Sequence, residues 1–147
     1  MNKDIIKEYG NVIHDPSSIT DQKLKIISVS PKIDIALGGG VPEGSLFIMT
    51  GPEKVGKTVT ALTFCANAQQ DNRKIFYGNV EGRLRKRDIE GIKELCSDAE
   101  KIKIIGSTQG NILSAEKYLG IFDQIINTQP DTICVIDSFP LWLVMQS

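Results

Sequence analysis

Eight consecutive residues in the first half of the chain have the types and spacing that bind phosphate. Residues 51–58 read GPEKVGKT and fit the pattern GxxxxGK[ST]. Glycines at positions 51 and 56 let the backbone wrap closely round a ligand, so that main-chain N–H groups can face the α- and β-phosphates. Lys57 offers a positive charge to the β- and γ-phosphate oxygens, and Thr58 offers a hydroxyl to Mg²⁺. The segment predicts a site for ATP and Mg²⁺.

The predicted nucleotide contacts extend one residue beyond this motif. They are Gly51, Pro52, Glu53, Lys54, Val55, Gly56, Lys57, Thr58 and Val59. Lys57 is also assigned to catalysis because of its charge beside the γ-phosphate, and Thr58 is also assigned to the metal. The alternative is a glycine turn that matches the pattern by chance.

A carboxylate at the end of a buried strand is the second candidate for the metal site. Residues 133–136 are continuously apolar and mostly β-branched, as expected of a strand covered on both faces, and Asp137 follows them directly. A carboxylate at the carboxyl end of a parallel strand faces the ligand crevice, where it would hold the water shell of Mg²⁺. The alternative for Asp137 is a helix cap or a turn residue at the strand end.

Glu81 is the candidate general base, and a basic run follows it. Glu81 comes shortly after an apolar strand, so it could polarise an attacking water at the same sheet edge. From spacing alone, a solvated loop residue or a helix cap explains it equally well. Residues 83–87 read RLRKR, and these cations could contact phosphates or an acidic neighbour, or form a solvated face at a helix start.

The elements that must position these residues alternate along the chain from residue 45 onward. Short apolar runs predict strands at residues 46–49, 75–77, 102–105 and 133–136. Helical periodicity predicts helices after Gly56, at about residues 87–96 and at about residues 115–126. Leu119, Phe122 and Ile126 are the predicted apolar stripe of the last helix. The pattern is that of βαβ units and predicts an α/β fold with a parallel central sheet.

Composition restricts the function classes further. A chain of 147 residues, 41% apolar and 24% charged, is typical of one globular domain. Because the net charge is −1, a nucleic acid would have to bind a local basic patch. The three widely spaced cysteines and the single histidine, His14, do not have the spacing of a metal site or a nucleophile pair. No apolar stretch could span a bilayer and the N-terminus does not read as a signal peptide, so we expect a cytosolic protein without membrane contact.

Three segments, taken in order, resemble the RecA recombinase family and its phage UvsX relatives. They are residues 34–38 with the following Pro42 and Gly44, the loop at residues 51–58, and residues 135–138. The resemblance covers about residues 29–138. It implies a three-layer P-loop NTPase fold with a central, mostly parallel sheet that is incomplete at the C-terminus. Residues 29–147 would form the N-terminal part of the RecA-like ATPase core, and residues 1–28 a candidate oligomerisation arm.

The resemblance also implies a function. The implied protein is an ATPase that forms homo-oligomeric filaments on single-stranded DNA and promotes strand exchange in recombinational repair. The resemblance implies that it acts in the cytoplasm of a bacterium or a phage-infected cell. Glu81 matches the family's glutamate general base, and Asp137 matches the acidic residue of the magnesium-binding strand. This sequence departs from the family at Val59, where bacterial members usually have a second Thr, and in the basic rather than acidic stretch after Glu81.

The family continues beyond the point that corresponds to Ser147, into its DNA-binding loops. In its sheet order the next strand lies between the strands expected at residues 46–49 and 133–136. We therefore expect unpaired backbone groups there, each costing about 1–3 kcal/mol if buried, and hence a marginal fold or an incomplete chain. Two alternatives share the phosphate loop: another RecA-fold motor, such as a DnaB-like helicase or a KaiC-like ATPase, and a non-hydrolysing mediator that binds ATP to regulate a recombinase filament.

Overall fold

The computed structural model describes residues 24–138 and, before them, residues 7, 10, 12 and 15–17. Most of the predicted N-terminal arm, and residues 139–147, therefore lie outside the described part of the chain. The elements in order are β1 (Ile26–Ile27), α1 (Pro31–Leu37), β2 (Val41–Pro42), α2 (Lys57–Gln70), β3 (Lys74–Asn79), α3 (Lys86–Glu90), β4 (Ile102–Ile105), α4 (Ala115–Thr128) and β5 (Thr132–Asp137). This mixture confirms the predicted α/β class.

A three-stranded parallel sheet positions the candidate site. Its strand order is β4-β3-β5, with β3 in the middle. In the pairing of β3 with β5, Tyr77 lies opposite Val135 and Asn79 opposite Asp137. Since all three strands run the same way, their carboxyl ends meet at one edge of the sheet. The parallel sheet predicted from the apolar runs is thereby confirmed for these three strands.

α2 packs against one face of this sheet and α4 against the other. Successive residues of a strand point to opposite faces, so each strand contributes to both layers of packing. On one face, Ile75 and Tyr77 of β3 pack with Leu62 and Cys65 of α2. On the other face, the packed residues are Phe76, Tyr118, Phe122, Cys134 and Ile136. Burial on both sides explains why β5 reads as a continuous apolar run rather than an alternating one. Within the described residues, no helix combines the length and the apolar character needed to cross a bilayer.

A small antiparallel ribbon and a short helix precede the phosphate-loop segment. β1 pairs with β2, and α1 lies between them. Asp34 of α1 accepts hydrogen bonds from the Ser28 hydroxyl at 2.6 Å and from the Val29 N–H at 2.8 Å. The sequence analysis did not predict α1, although Pro31 in its first turn and the left-handed Gly38 at its end are the usual boundary signals.

Arg73 connects two segments that lead into the candidate site. Its side chain is almost fully buried, and its guanidinium contacts Glu43 at 2.7 Å and Asp131 at 2.9 Å. The hydrogen bond from Arg73, followed by one from the Lys25 N–H, lowers the pKa of Glu43 below its ordinary value. Glu43 precedes the phosphate-loop segment and Asp131 precedes β5, so this buried cation ties the two together.

The strand predicted at residues 46–49 is wrong for the described structure. Residues 45–50 belong to no helix or strand, and Leu46 and Ile48 are 87% and 69% exposed. A strand needs a ladder partner for its backbone N–H and C=O groups. Among the described residues β5 pairs only with β3, so its other edge provides no ladder that reaches this segment.

Two helices also differ from their predictions. α3 ends at Glu90 instead of near residue 96, because Gly91 ends the helix and Glu94 has a left-handed φ of 67°. In α4 the buried residues are Tyr118, Phe122 and Ile125. The predicted stripe is correct only at its centre, since Leu119 and Ile126 are 53% and 61% exposed. The predicted residues and the buried residues both have helical spacing and share Phe122. Which of the two sets is buried depends on the side of α4 that faces the sheet.

The close approach of α4 to β3 predicts a strong effect at Gly78. A Cβ added there would lie 2.9 Å from the Phe122 ring and 3.3 Å from the Val135 carbonyl oxygen. We expect Gly78→Ala to lower the free energy of unfolding by about 1–3 kcal/mol through overpacking, measured by urea denaturation. Gly120→Ala is the control, because that helix position has open space and alanine should stabilise it by up to about 1 kcal/mol. Equal stability of the two variants would contradict this packing.

Candidate functional site

The predicted phosphate loop leads directly into a long helix. Residues 51–56 form the loop, and α2 begins at Lys57 and runs for 14 residues. Gly56 takes a left-handed φ of 95° at the start of the helix, a conformation that costs glycine little. The first N–H groups of a helix have no partner within it, and the aligned peptide dipoles make this end positive. The loop therefore ends at a position suited to bind an anion.

The side chain of Lys57, the first residue of α2, folds back onto the loop. Its Nζ donates hydrogen bonds to the carbonyl oxygens of Gly51, at 2.8 Å, and Pro52, at 2.6 Å. The ammonium group thus lies against the backbone of the first two loop residues. The other predicted contacts that are exposed at the surface are Gly51, Pro52, Glu53, Lys54, Val55 and Val59.

Thr58 and Asp137, the two residues predicted to serve the metal, are in direct contact. The Thr58 hydroxyl donates to Asp137 Oδ2 at 2.7 Å, although the residues are 79 positions apart. The Tyr77 hydroxyl donates to the same oxygen at 2.6 Å. Burial, and then the hydrogen bond to Asp137, raise the pKa of Tyr77 above its ordinary value. Tyr77 was missed by the sequence analysis.

Glu81 lies at the same sheet edge as Asp137. Its Oε1 accepts a hydrogen bond from the Ser138 hydroxyl at 2.9 Å, and its Oε2 lies 3.0 Å from Arg83 Nε. The Val80 N–H donates to the Asp137 carbonyl at 3.0 Å, which holds the turn after β3 against the end of β5. Within residues 24–138 no hydrogen bond or ion pair joins Glu81 to Lys57 or Thr58. The predicted base is thus beside the carboxylate predicted to serve the metal.

The sequence matches known proteins over most of its length. The family model described as the RecA N-terminal domain matches residues 2–144. The chain belongs to the RecA family. It is 33% identical to Protein RecA of Mycobacterium ulcerans over 137 residues, which is 92% of this chain and 36% of the relative. It is 35% identical to Protein RecA of Mycobacterium avium over 139 residues, or 91% of this chain and 37% of the relative. This RecA-family chain thus spans about a third of the length of these relatives.

The basic run of this RecA-family chain is largely exposed. Lys86 pairs with Glu90 at 3.4 Å within α3, as expected of a solvated helix face. Arg83 differs, because it contacts Glu81 and lies 4.0 Å from Glu53 of the phosphate loop. Arg83 is thus an exposed cation beside the candidate site, whereas Lys86 pairs within its own helix.

The oxygen donors at the end of β5 fit a magnesium ion. Mg²⁺ prefers hard oxygen ligands and keeps several of its waters, so it needs few protein groups. The Thr58 hydroxyl and the Asp137 carboxylate supply such oxygens beside the start of α2. In the described part of the chain no group of three or more His, Cys, Asp or Glu side chains could hold a metal, so a magnesium ion here would depend on a small protein ligand set.

The Thr58 contact predicts a measurable contribution to stability. Thr58→Val keeps the side-chain shape and removes the donor to Asp137, so we expect the free energy of unfolding to fall by about 0.5–1.5 kcal/mol. Thr63→Val is the matched control, since the Thr63 hydroxyl donates only to the Val59 carbonyl of its own helix. Urea denaturation of both variants measures the difference. A loss no greater at Thr58 than at Thr63 would contradict the assigned contact.

Proposed function

We propose that this RecA-family chain binds ATP with Mg²⁺ at the loop of residues 51–58, as the nucleotide-binding part of an ATP-dependent DNA recombinase with a P-loop NTPase core. The observation that carries the proposal is the hydrogen bond between Thr58 and Asp137. It joins the first turn of α2 to the end of β5, beside the loop that Lys57 contacts. The groups proposed for the phosphates and those proposed for the metal are therefore close together, which supports the proposal.

The phosphates would be bound by the start of α2 and by Lys57. Free N–H groups and the positive end of the helix dipole favour an anion at this position. The Lys57 ammonium donates to two neutral carbonyl oxygens, those of Gly51 and Pro52. Hydrogen bonds from a cation to charged phosphate oxygens are stronger than bonds to neutral carbonyls. Lys57 would therefore exchange these carbonyls for phosphate oxygens when ATP binds.

Thr58 and Asp137 would hold the magnesium ion. The Thr58 hydroxyl donates its hydrogen to Asp137 and keeps lone pairs for a cation. The Asp137 carboxylate can accept hydrogen bonds from metal-bound waters. The ion would neutralise charge on the β- and γ-phosphate oxygens.

Glu81 is the proposed general base for hydrolysis. Its position beside Asp137 suits this role. Ser138 and Arg83 each contact one of its oxygens, and each oxygen keeps a second lone pair that could accept the proton of an attacking water. A second candidate function is an ATP-binding module that does not hydrolyse. It is favoured because, within residues 24–138, no hydrogen bond or ion pair joins Glu81 to Lys57 or Thr58, and the Glu81 prediction below separates the two.

The activity of the longer protein is also a proposal, since the chain covers 36–37% of the two mycobacterial relatives. We propose that the ATP site serves homo-oligomeric filament formation on single-stranded DNA in recombination and repair, in the cytoplasm. Family membership supports this assignment.

The first test of this proposal is the charge of Lys57. Lys57→Ala should weaken ATP binding by about 10- to 100-fold, because it removes charge-assisted hydrogen bonds worth about 1.5–3 kcal/mol. Isothermal titration calorimetry measures the affinity. Lys93→Ala is the matched control: it removes a lysine whose side chain is 93% exposed and which lies outside the loop. Wild-type affinity in Lys57→Ala would exclude the phosphate-loop assignment.

The second test separates hydrolysis from binding. Glu81→Gln should keep ATP affinity and lower the rate of phosphate release by about 10²- to 10⁴-fold, the usual contribution of a general base. Glu90→Gln on α3 is a control for the loss of a carboxylate. An unchanged rate in Glu81→Gln would return Glu81 to a structural role. ATP binding without any turnover by the wild-type chain would instead support the non-hydrolysing module.

A further inference from the structure

The Asp137 carboxylate is held by a second donor that the phosphate-loop motif does not include. Oδ2 of Asp137 accepts from Thr58 at 2.7 Å and from the Tyr77 hydroxyl at 2.6 Å. Each carboxylate oxygen has two lone pairs, so these two donors fill Oδ2. Within residues 24–138 no donor contacts Oδ1. Oδ2 is therefore filled by protein donors, whereas Oδ1 can still accept hydrogen bonds.

The backbone register explains why Tyr77 reaches this carboxylate. Tyr77 lies opposite Val135, and Asn79 lies opposite Asp137. Because strand residues two apart share a face, Tyr77 and Asp137 are on the same face of the sheet, displaced diagonally by one pair. The long aromatic side chain of Tyr77 spans this offset and brings its hydroxyl to 2.6 Å from Oδ2 of Asp137.

Core packing makes Tyr77 a rigid donor. Its relative exposure is 0%, and its ring packs in the cluster that contains Leu62 and Cys65 of α2. Side chains in such a close-packed core sit in one rotamer minimum on the time average. The hydroxyl is therefore presented to Asp137 by the folded core itself, whereas Thr58 sits in the first turn of a helix beside the loop.

Tyr118 provides a comparison for the hydrogen bond between Tyr77 and Asp137. The comparison indicates that this bond does more than give a buried hydroxyl a partner. Tyr118 is buried to the same degree, at 1% exposure, on the opposite face of the sheet. Its hydroxyl has no hydrogen-bond partner among the described residues. A buried tyrosine in this fold can thus lack a partner, while the Tyr77 hydroxyl is directed at the carboxylate of the candidate metal site.

We propose that Tyr77 is a positioning residue for magnesium: its hydroxyl and that of Thr58 together fix the Asp137 carboxylate, so that Oδ1 is left to accept hydrogen bonds from the hydrated ion. This inference rests on the proposed function, since it assigns a role within the ATP·Mg²⁺ site. Groups that orient a residue of a metal site commonly change metal affinity by about 10- to 100-fold when they are removed.

The test compares Tyr77→Phe with Tyr118→Phe. Each variant removes one buried hydroxyl and keeps the ring, so both should remain folded, as a thermal melt checks. ATP binding is measured by calorimetry over a series of Mg²⁺ concentrations and in EDTA. In Tyr77→Phe we expect the half-saturating Mg²⁺ concentration to rise about 10-fold, with the EDTA affinity unchanged. Tyr118→Phe should match the wild type in both conditions.

A second measurement examines whether Tyr77 acts through Asp137. In an Asp137→Asn background, Tyr77→Phe should produce no further shift in the Mg²⁺ midpoint. A full additional shift there, a wild-type midpoint in Tyr77→Phe alone, or an equal shift in Tyr118→Phe would each overturn the positioning role. Failure of the proposed function has a different signature: the wild-type chain itself would bind no ATP, or would bind it equally with and without Mg²⁺.

Discussion

Parallel pairing of β3 with β5 is the constraint on which the candidate site depends. This register sets Asn79 opposite Asp137, and so brings the carboxyl ends of two strands, with the loops that follow them, to one edge of the sheet. Asp137, Glu81 and Ser138 are neighbours for this reason. The same pairing places Tyr77 on the face that α2 covers, where the Thr58 hydroxyl also reaches Asp137. A slip of one residue would turn Asp137 to the opposite face.

The same packing contacts that form the core also position the residues of the candidate site. Leu62 and Cys65 bury the side of α2 that lies against β3, and this contact positions the first turn of the helix and the loop before it. On the other face, the absence of a side chain at Gly78 lets the Phe122 ring approach the strand. Arg73, buried between Glu43 and Asp131, connects the chain before the loop with the turn before β5. Packing changes at these positions should also disturb the geometry of the site.

Much of this arrangement could be predicted from sequence because its signals are local. The loop at residues 51–58 matches a short pattern that is typical of phosphate loops, and the apolar runs of β4 and β5 are short. The failures have non-local causes. Residues 46–49 have strand composition but no ladder partner among the described residues, and Leu119 and Tyr118 could be distinguished only by the face that α4 turns to the sheet. The contact of Tyr77 with Asp137 could not be predicted from local sequence because it depends on the register between two strands. The one local indication is an aromatic residue with a hydroxyl group directly after the apolar Ile75 and Phe76.

The central claim of this account is that the loop at residues 51–58 recognises the β- and γ-phosphates of a nucleotide. Calorimetric titration of the chain with ATP and, separately, with AMP in the presence of Mg²⁺ tests it most directly. Lys57 is assigned to the β- and γ-phosphates, which AMP does not have, and Thr58 to the Mg²⁺ ion that neutralises them, so ATP should bind at least about 10-fold more tightly. Equal affinity for the two nucleotides, or no binding of ATP, would contradict the claim.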